Sequence, residues 1–153
     1  MHGHTVTEPG KRVDALLRSR GVISSLCFVE IKTQKTELLQ KTPYRSGCWA
    51  ISDELAGAVA QVQGTVALAT ETVRQKLALH DGLGNPTGEE AFNYLPKSFL
   101  VVGSLREFMT DHGVNQERYR SFELFRRNLG APELLTFDEL YERARFIVDQ
   151  HEN

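Results

Sequence analysis

Apolar and polar positions alternate imperfectly through RVDALLRS, and the run after it, VISSLCFVEIK, is rich in β-branched and aromatic residues. The two runs meet at ArgGly, so the pair reads as a β-hairpin. Residues 33–51, TQKTELLQKTPYRSGCWAI, mix Lys, Pro, Gly and aromatics without a period. They predict an irregular excursion with one helical turn at ELLQK, and long loops of this kind are often functional. Ser52 then opens SDELAGAVAQVQGTVALATETVRQKLALH, with acids in the first turn and Leu55, Val59, Val62, Val66, Val73 and Leu77 at helical spacing. This predicts a long central helix running to His80. HDGLGNPTGEE is turn-rich and ends it.

SFLVVGS has the apolar centre of a strand buried on both faces, which predicts a central position in a sheet. Residues 115–129 form a charged amphipathic pattern with Tyr119, Phe122, Phe125 and Leu129 inward, closed by Gly130 and Pro132. ELLT reads as one more short strand. Thr136 and Glu139 make a capping box, flanked by Leu135 and Leu140 as a hydrophobic staple, and open a helix to about Asp149. The order is hairpin, helix, strand, helix, strand, helix, which implies a mixed sheet with helices packed on it.

The 153 residues are 25% charged and 41% hydrophobic, which suits one globular domain. The expected organisation is a tail over residues 1–10, one domain over 11–149 and a short tail over 150–153. No run of 18 apolar residues occurs, and MHGHTVTEPGKR has no hydrophobic signal core. Neither a membrane span nor secretion is indicated, and the expected location is cytoplasmic. Cys27 and Cys48 lack metal-site spacing and read as free thiols in a reducing compartment. The histidines are scattered, and His2 and His4 read as part of a frayed terminus rather than a metal site.

A formal net charge of −2 gives no global basic field of the kind that announces a nucleic-acid binder. The halves differ: residues 1–76 carry ten Lys and Arg against seven acids, and residues 77–153 carry eight against thirteen. An anionic partner should meet the first half.

The candidate chemistry lies in FVEIK. A carboxylate set among apolar residues costs several kcal/mol unless it is compensated, roughly 2 to 7 even for merely polar groups. In a strand, Glu30 and Lys32 project to one face. If the hairpin folds about Val22, Asp14 lies directly opposite Glu30, with β-carbons ~5 Å apart. A hard divalent ion relieves the repulsion between two such carboxylates, and magnesium is the natural candidate, with the Ile31 carbonyl filling another position. Water placed beside the Lys32 ammonium would then be the nucleophile in hydrolysis of a phosphate ester. A two-residue turn at Arg20 and Gly21 would instead set Asp14 against Cys27, unless a bulge at Ser24 and Ser25 restored the alignment. Both registers stay open, as does a solvated edge strand in which the Glu-x-Lys spacing carries no chemistry.

Gln61 lies between Gly57 and Gly64 on the predicted central helix. The small face either admits substrate backbone, with Gln61 offering its amide to a phosphate or the attacking water, or serves close packing of helix on sheet. In the excursion, Lys35, Lys41, Tyr44, Arg45 and Trp49 combine positive charge with aromatic surface, as phosphate contacts and stacking platforms require. Loop anchoring is the competing reading for Tyr44 and Trp49. Arg126 and Arg127 read as decoration of a solvated helix face.

Across these residues the chain resembles the Shedu anti-phage nuclease family, a branch of the PD-(D/E)xK nucleases. The likeness covers nearly all of residues 11–148 and rests on KRVDALL, FVEIK, LLQKTPYRSGCW, SDELAGAVAQVQ, KSFLVVGSL and RSFELFRRNLGAPELLTFDELYERARFIV. It implies a restriction-endonuclease-like α/β fold, a mixed sheet flanked by helices, in a bacterial defence protein whose nuclease domain cuts DNA. It also implies a homo-oligomer and an N-terminal regulatory region that is missing from this chain. Matched residue by residue, Asp14 and Glu30 would bind Mg2+ or Mn2+, Lys32 would serve the nucleophile and Gln61 would be the additional polar residue on the helix. The superfamily core begins with a helix and a strand before the Asp-bearing strand, so a shortened chain lacking that first helix is expected. A non-catalytic DNA-binding or assembly fragment is the rival reading, and RNA is the alternative substrate of the same chemistry.

Overall fold

The computed structural model describes residues 14–19, 23–72 and 76–151. The expected N-terminal tail, His2, His4, Val73 and the stretch where a first core helix was in question lie outside the described residues.

Two antiparallel strands, β1 (Ala15–Arg18) and β2 (Ser25–Ile31), form the expected hairpin. The excursion that follows holds no helical turn at ELLQK. Leu38 and Leu39 are instead buried in the main core, and Leu39 bridges to Ile51. The apolar pair anchors the loop rather than one face of a helix.

Helix α1 (Asp53–Thr72) starts where the sequence places it, with Ser52 Oγ accepting from the Leu55 N–H at 3.0 Å. That side-chain oxygen satisfies one of the donors a helix start leaves over. The helix ends well before His80. Residues 76–80 are β3 (Lys76–His80), which turns through Asp81 and Gly84 into β4 (Pro86–Val101). Leu77 had matched the helical spacing, yet it packs from a strand against Leu26, Phe28, Ala69 and Ala91. The first part of β4 reads as a loop in sequence because Pro86, Gly88 and Pro96 interrupt it, and such residues are tolerated only at edges and bulges. A register shift between Ser25 and Cys27, opposite Phe92 and Lys97, marks that irregularity, and Leu95 adopts a φ of 45° there.

β4 is nevertheless central, as SFLVVGS predicts. The five-stranded mixed sheet has the order β1-β2-β4-β3, with β7 (Glu133–Leu135) running parallel to the last part of β4. Leu100 and Val102 are fully buried. After a single 3-10 turn (Leu105–Phe108) comes a small hairpin of β5 (Met109–Thr110) and β6 (Gly113–Val114). Helix α2 (Gln116–Asn128), capped by Asn115, sends Phe122 into the core against Phe108. Glu139 accepts from both the N–H and the hydroxyl of Thr136, at 3.1 and 3.0 Å, and so closes the capping box that opens α3 (Phe137–His151). This is a curved mixed sheet flanked by helices, an arrangement compatible with the restriction-endonuclease-like fold. Among the described residues no helix is long and apolar enough to cross a membrane.

Candidate active site

Along β2 the side chains of Leu26, Phe28 and Glu30 form one row facing α1, and all three are buried. Glu30 is thus the last member of an apolar row, only 4% exposed. Its charge is met by two donors. Lys32 Nζ, continuing the same row past the strand end, donates to Oε1 at 2.7 Å, and Gln61 Nε2, from α1, donates to the same oxygen at 2.8 Å. Lys32 also donates to Gln61 Oε1 at 3.1 Å, which closes a triangle of three side chains from two elements. Removing one partner from a buried charge costs about 3–5 kcal/mol, so the trio holds itself together.

The register decides where Asp14 falls. Ala15 pairs with Val29 and Leu16 with Phe28, which is the register that sets Asp14 against Glu30 and not the one that sets it against Cys27. One step further, Asp14 comes beside Glu30, and its Oδ2 accepts from the Ile31 N–H at 2.8 Å. Asp14 Oδ1 and Glu30 Oε2 take no part in these bonds. Two hard oxygens beside a backbone segment suit a small divalent cation that keeps several waters. Among the described residues no three acids, histidines or cysteines converge, so any such donor set is the carboxylate pair completed by backbone and water.

Lys32 and Gln61 line a cleft of about 470 Å3, with Glu30 buried outside its lining. One wall is α1, where Glu54, Gly57, Ala58 and Gln61 recur at helical spacing, and the other is the start of the excursion, with Thr33 and Thr36. The two threonine hydroxyls lie 3.2 Å apart. Gly57 sits inside a 20-residue helix, where glycine costs roughly 1 kcal/mol relative to alanine. A methyl group there would meet no atom within 4 Å, so close packing does not explain it. Gly103 is the opposite case: with φ +61° its Cβ would fall 2.6 Å from Leu38 Cδ2 and 2.7 Å from the Thr36 carbonyl oxygen. That close approach sews the floor of the cleft to β4, together with the bonds Lys32 N–H to Val101 O and Gly103 N–H to Thr33 O.

The other candidates are not gathered here. Lys35, Lys41, Tyr44 and Arg45 stand exposed on the excursion, outside the cleft lining. Arg45 stacks over Tyr44 at 5.5 Å, and Lys41 pairs loosely with Glu37 at 3.5 Å. Trp49 is an anchor, packed on the core beneath the Arg118 guanidinium at 4.9 Å. Arg126 does not decorate a solvated face. It is largely buried and joins Glu123 to Glu139, while Arg127 is exposed as expected. Burial alone would weaken the charge on Arg126, yet the bonds to Glu139 and Glu123 raise its pKa above the usual arginine value.

Sequence reading missed Thr33, Thr36 and Glu54. A polar residue carries no periodic signal until the helix and the loop face one another, and the one clue was that Glu54, Gly57 and Gln61 share a helix face. A larger groove, of about 680 Å3, lies on the opposite side of α1, along Val66, Ala67, Thr70 and residues 95–99. Its lining carries one acid, Glu133, and one base, Lys97. Both cysteines are free, and burial raises the Cys27 thiol pKa against the pull of Lys97.

Comparison with known proteins shows the family. A family model described as "Shedu protein SduA, C-terminal" matches residues 2–141. The chain is 30% identical over 149 residues to the Shedu protein SduA of Bacillus cereus (strain B4264), an alignment covering 95% of this chain and 37% of that relative. The chain therefore spans just over a third of the length of the curated relative it matches. On that match and that identity, the chain belongs to the Shedu family.

Proposed function

We propose that the chain is a metal-dependent endonuclease that hydrolyses DNA phosphodiester bonds in bacterial anti-phage defence. The observation that carries this reading is Glu30: a buried carboxylate whose Oε1 is held by Lys32 and Gln61, at the strand end where Asp14 accepts from the Ile31 N–H. An ion pair kept only for stability is often replaceable by apolar residues without loss. Three polar side chains that meet where two of them line a cleft, next to another acid, favour chemistry over packing.

The donor set suits Mg2+ or Mn2+, held by Asp14 and Glu30 with the Ile31 carbonyl. Such an ion supplies a nucleophilic water at neutral pH and neutralises charge on the phosphate. Lys32 stands at the same carboxylate and offers its ammonium to the attacking water or to a phosphoryl oxygen. Gln61 fixes both neighbours, donating to Glu30 and accepting from Lys32. Lys35, Lys41, Tyr44 and Arg45, exposed on the excursion, supply phosphate and stacking contacts. The exposed apolar positions Tyr141, Ile147 and Val148 of α3 favour a homo-oligomer, on which an N-terminal regulatory region of the kind the resemblance implies would act.

The test is incubation of the chain with plasmid DNA and magnesium, beside EDTA and Glu30→Ala. Nicking or cutting that needs the metal and disappears in the variant supports the proposal. Cutting that survives either treatment overturns it, and salt-dependent binding without cutting replaces it with a binding module.

A further inference from the structure

We propose that Gly57 sets how closely a nucleic-acid strand approaches the trio of Glu30, Lys32 and Gln61, the strand's sugar–phosphate backbone running between Gly57 and the Thr33–Thr36 hydroxyl pair. The proposal rests on the nuclease reading above and names the part of the substrate that the cleft grips.

Glycine inside a helix has three usual reasons: an unusual φ, close packing, or room for something outside the chain. Gly57 has no positive φ, and a Cβ there would meet no atom within 4 Å. Gly103 shows what the packing reason looks like in the same molecule, with Leu38 and Thr36 pressed against it. The remaining reason is the cleft, which Gly57 lines one turn before Gln61.

The facing wall has the chemistry a phosphodiester needs. Thr33 and Thr36 share one hydrogen bond at 3.2 Å, so whichever hydroxyl donates, the other keeps its hydrogen for a further acceptor. Lys32 lies at the base of the same cleft. Glu54, on the α1 wall, repels phosphate and directs the anionic groups towards Lys32 and the threonines, which leaves the uncharged sugar to pass against Gly57. Thr33, Thr36 and Gly57 are accordingly positioning residues, and Gly57 limits the size of what passes.

The experiment uses the full chain with Gly57→Ala, Gly57→Leu and Thr33→Val. It measures thermal midpoint, KM and kcat for magnesium-dependent cleavage, and Kd for a fluorescent DNA duplex in EDTA. Gly57→Ala should raise the midpoint by about 2–4 °C, as alanine does for glycine in a helix, while raising KM. Gly57→Leu should remain folded and raise both KM and Kd by about tenfold or more. Thr33→Val should raise KM with kcat little changed. Opposite movement of stability and affinity is what a merely structural glycine does not produce. Wild-type KM and Kd in Gly57→Leu overturn the proposal and leave the nuclease reading standing if the parent chain still cuts. A parent chain that neither cuts nor binds DNA overturns both.

Discussion

Gln61 Nε2 donates to Glu30 Oε1 at 2.8 Å, joining the middle of α1 to the end of β2 across 31 positions of sequence. This bond makes helix placement and carboxylate orientation one event, because Glu30 is the last residue of the row that packs beneath α1. Gln61→Leu removes a donor from a buried acceptor and should cost about 1–3 kcal/mol of unfolding free energy. Urea denaturation checks it. Cleavage should fall as well, with most of the loss in kcat, since the oxygen left to Lys32 alone is no longer fixed.

Gly103→Ala tests the floor of the cleft. The new methyl would sit 2.6 Å from Leu38 Cδ2 at a residue with φ +61°. Overpacking and left-handed backbone each cost about 1–3 kcal/mol, so denaturant unfolding should show a loss of at least about 2 kcal/mol. Wild-type stability in this variant would mean that the excursion does not press on β4.

Glu107 holds the excursion from the other side. Its carboxylate accepts from the Leu38 N–H at 2.6 Å, the Leu39 N–H at 3.2 Å and Arg118 at 2.8 Å. Glu107→Ala strands two backbone donors and a guanidinium and should cost about 3 kcal/mol. Limited trypsin digestion should then cut faster at Lys35 and Lys41. An unchanged digestion rate would refute the clamp.

Acid should loosen the join between α2 and α3. Burial opposes the charge on Glu139, but bonds from Arg126 and Thr136 outweigh it and hold the pKa below the ordinary glutamate value. A lowered folded pKa means that the stabilisation is present above the unfolded value, about 4.3, and is lost as pH falls through the folded one. The stability difference between the wild type and Glu139→Gln should therefore be full near neutrality and shrink below about pH 4.3. A difference that stays constant from neutral pH into acid contradicts this assignment.

Much of this was legible in the chain. Period-two patterning placed Glu30 and Lys32 on one face, the Ser52 and Thr136 signals marked two helix starts, and the unbroken apolar run identified the central strand. The errors have physical causes. Leu77 fits both a helical stripe and a strand face, and only the satellite core with Leu26 and Phe28 decides between them. Pro86 and Pro96 hid a strand that pairs along irregular edges. Arg126 looked solvated because Glu139, the partner that helps bury it, lies on α3, which meets α2 only in the fold. The register linking Asp14 to Glu30 was undecidable in sequence, since either turn satisfies the local pattern, and the pairing of Ala15 with Val29 resolves it.

On the proposed nuclease reading, Asp14 and Glu30 together hold one divalent cation. Manganese titration by calorimetry, on the wild type, Asp14→Asn and Glu30→Gln, tests it without reference to activity. One ion per chain, weakened severely in both variants, is the expected result. Equal manganese affinity in all three proteins would contradict the account.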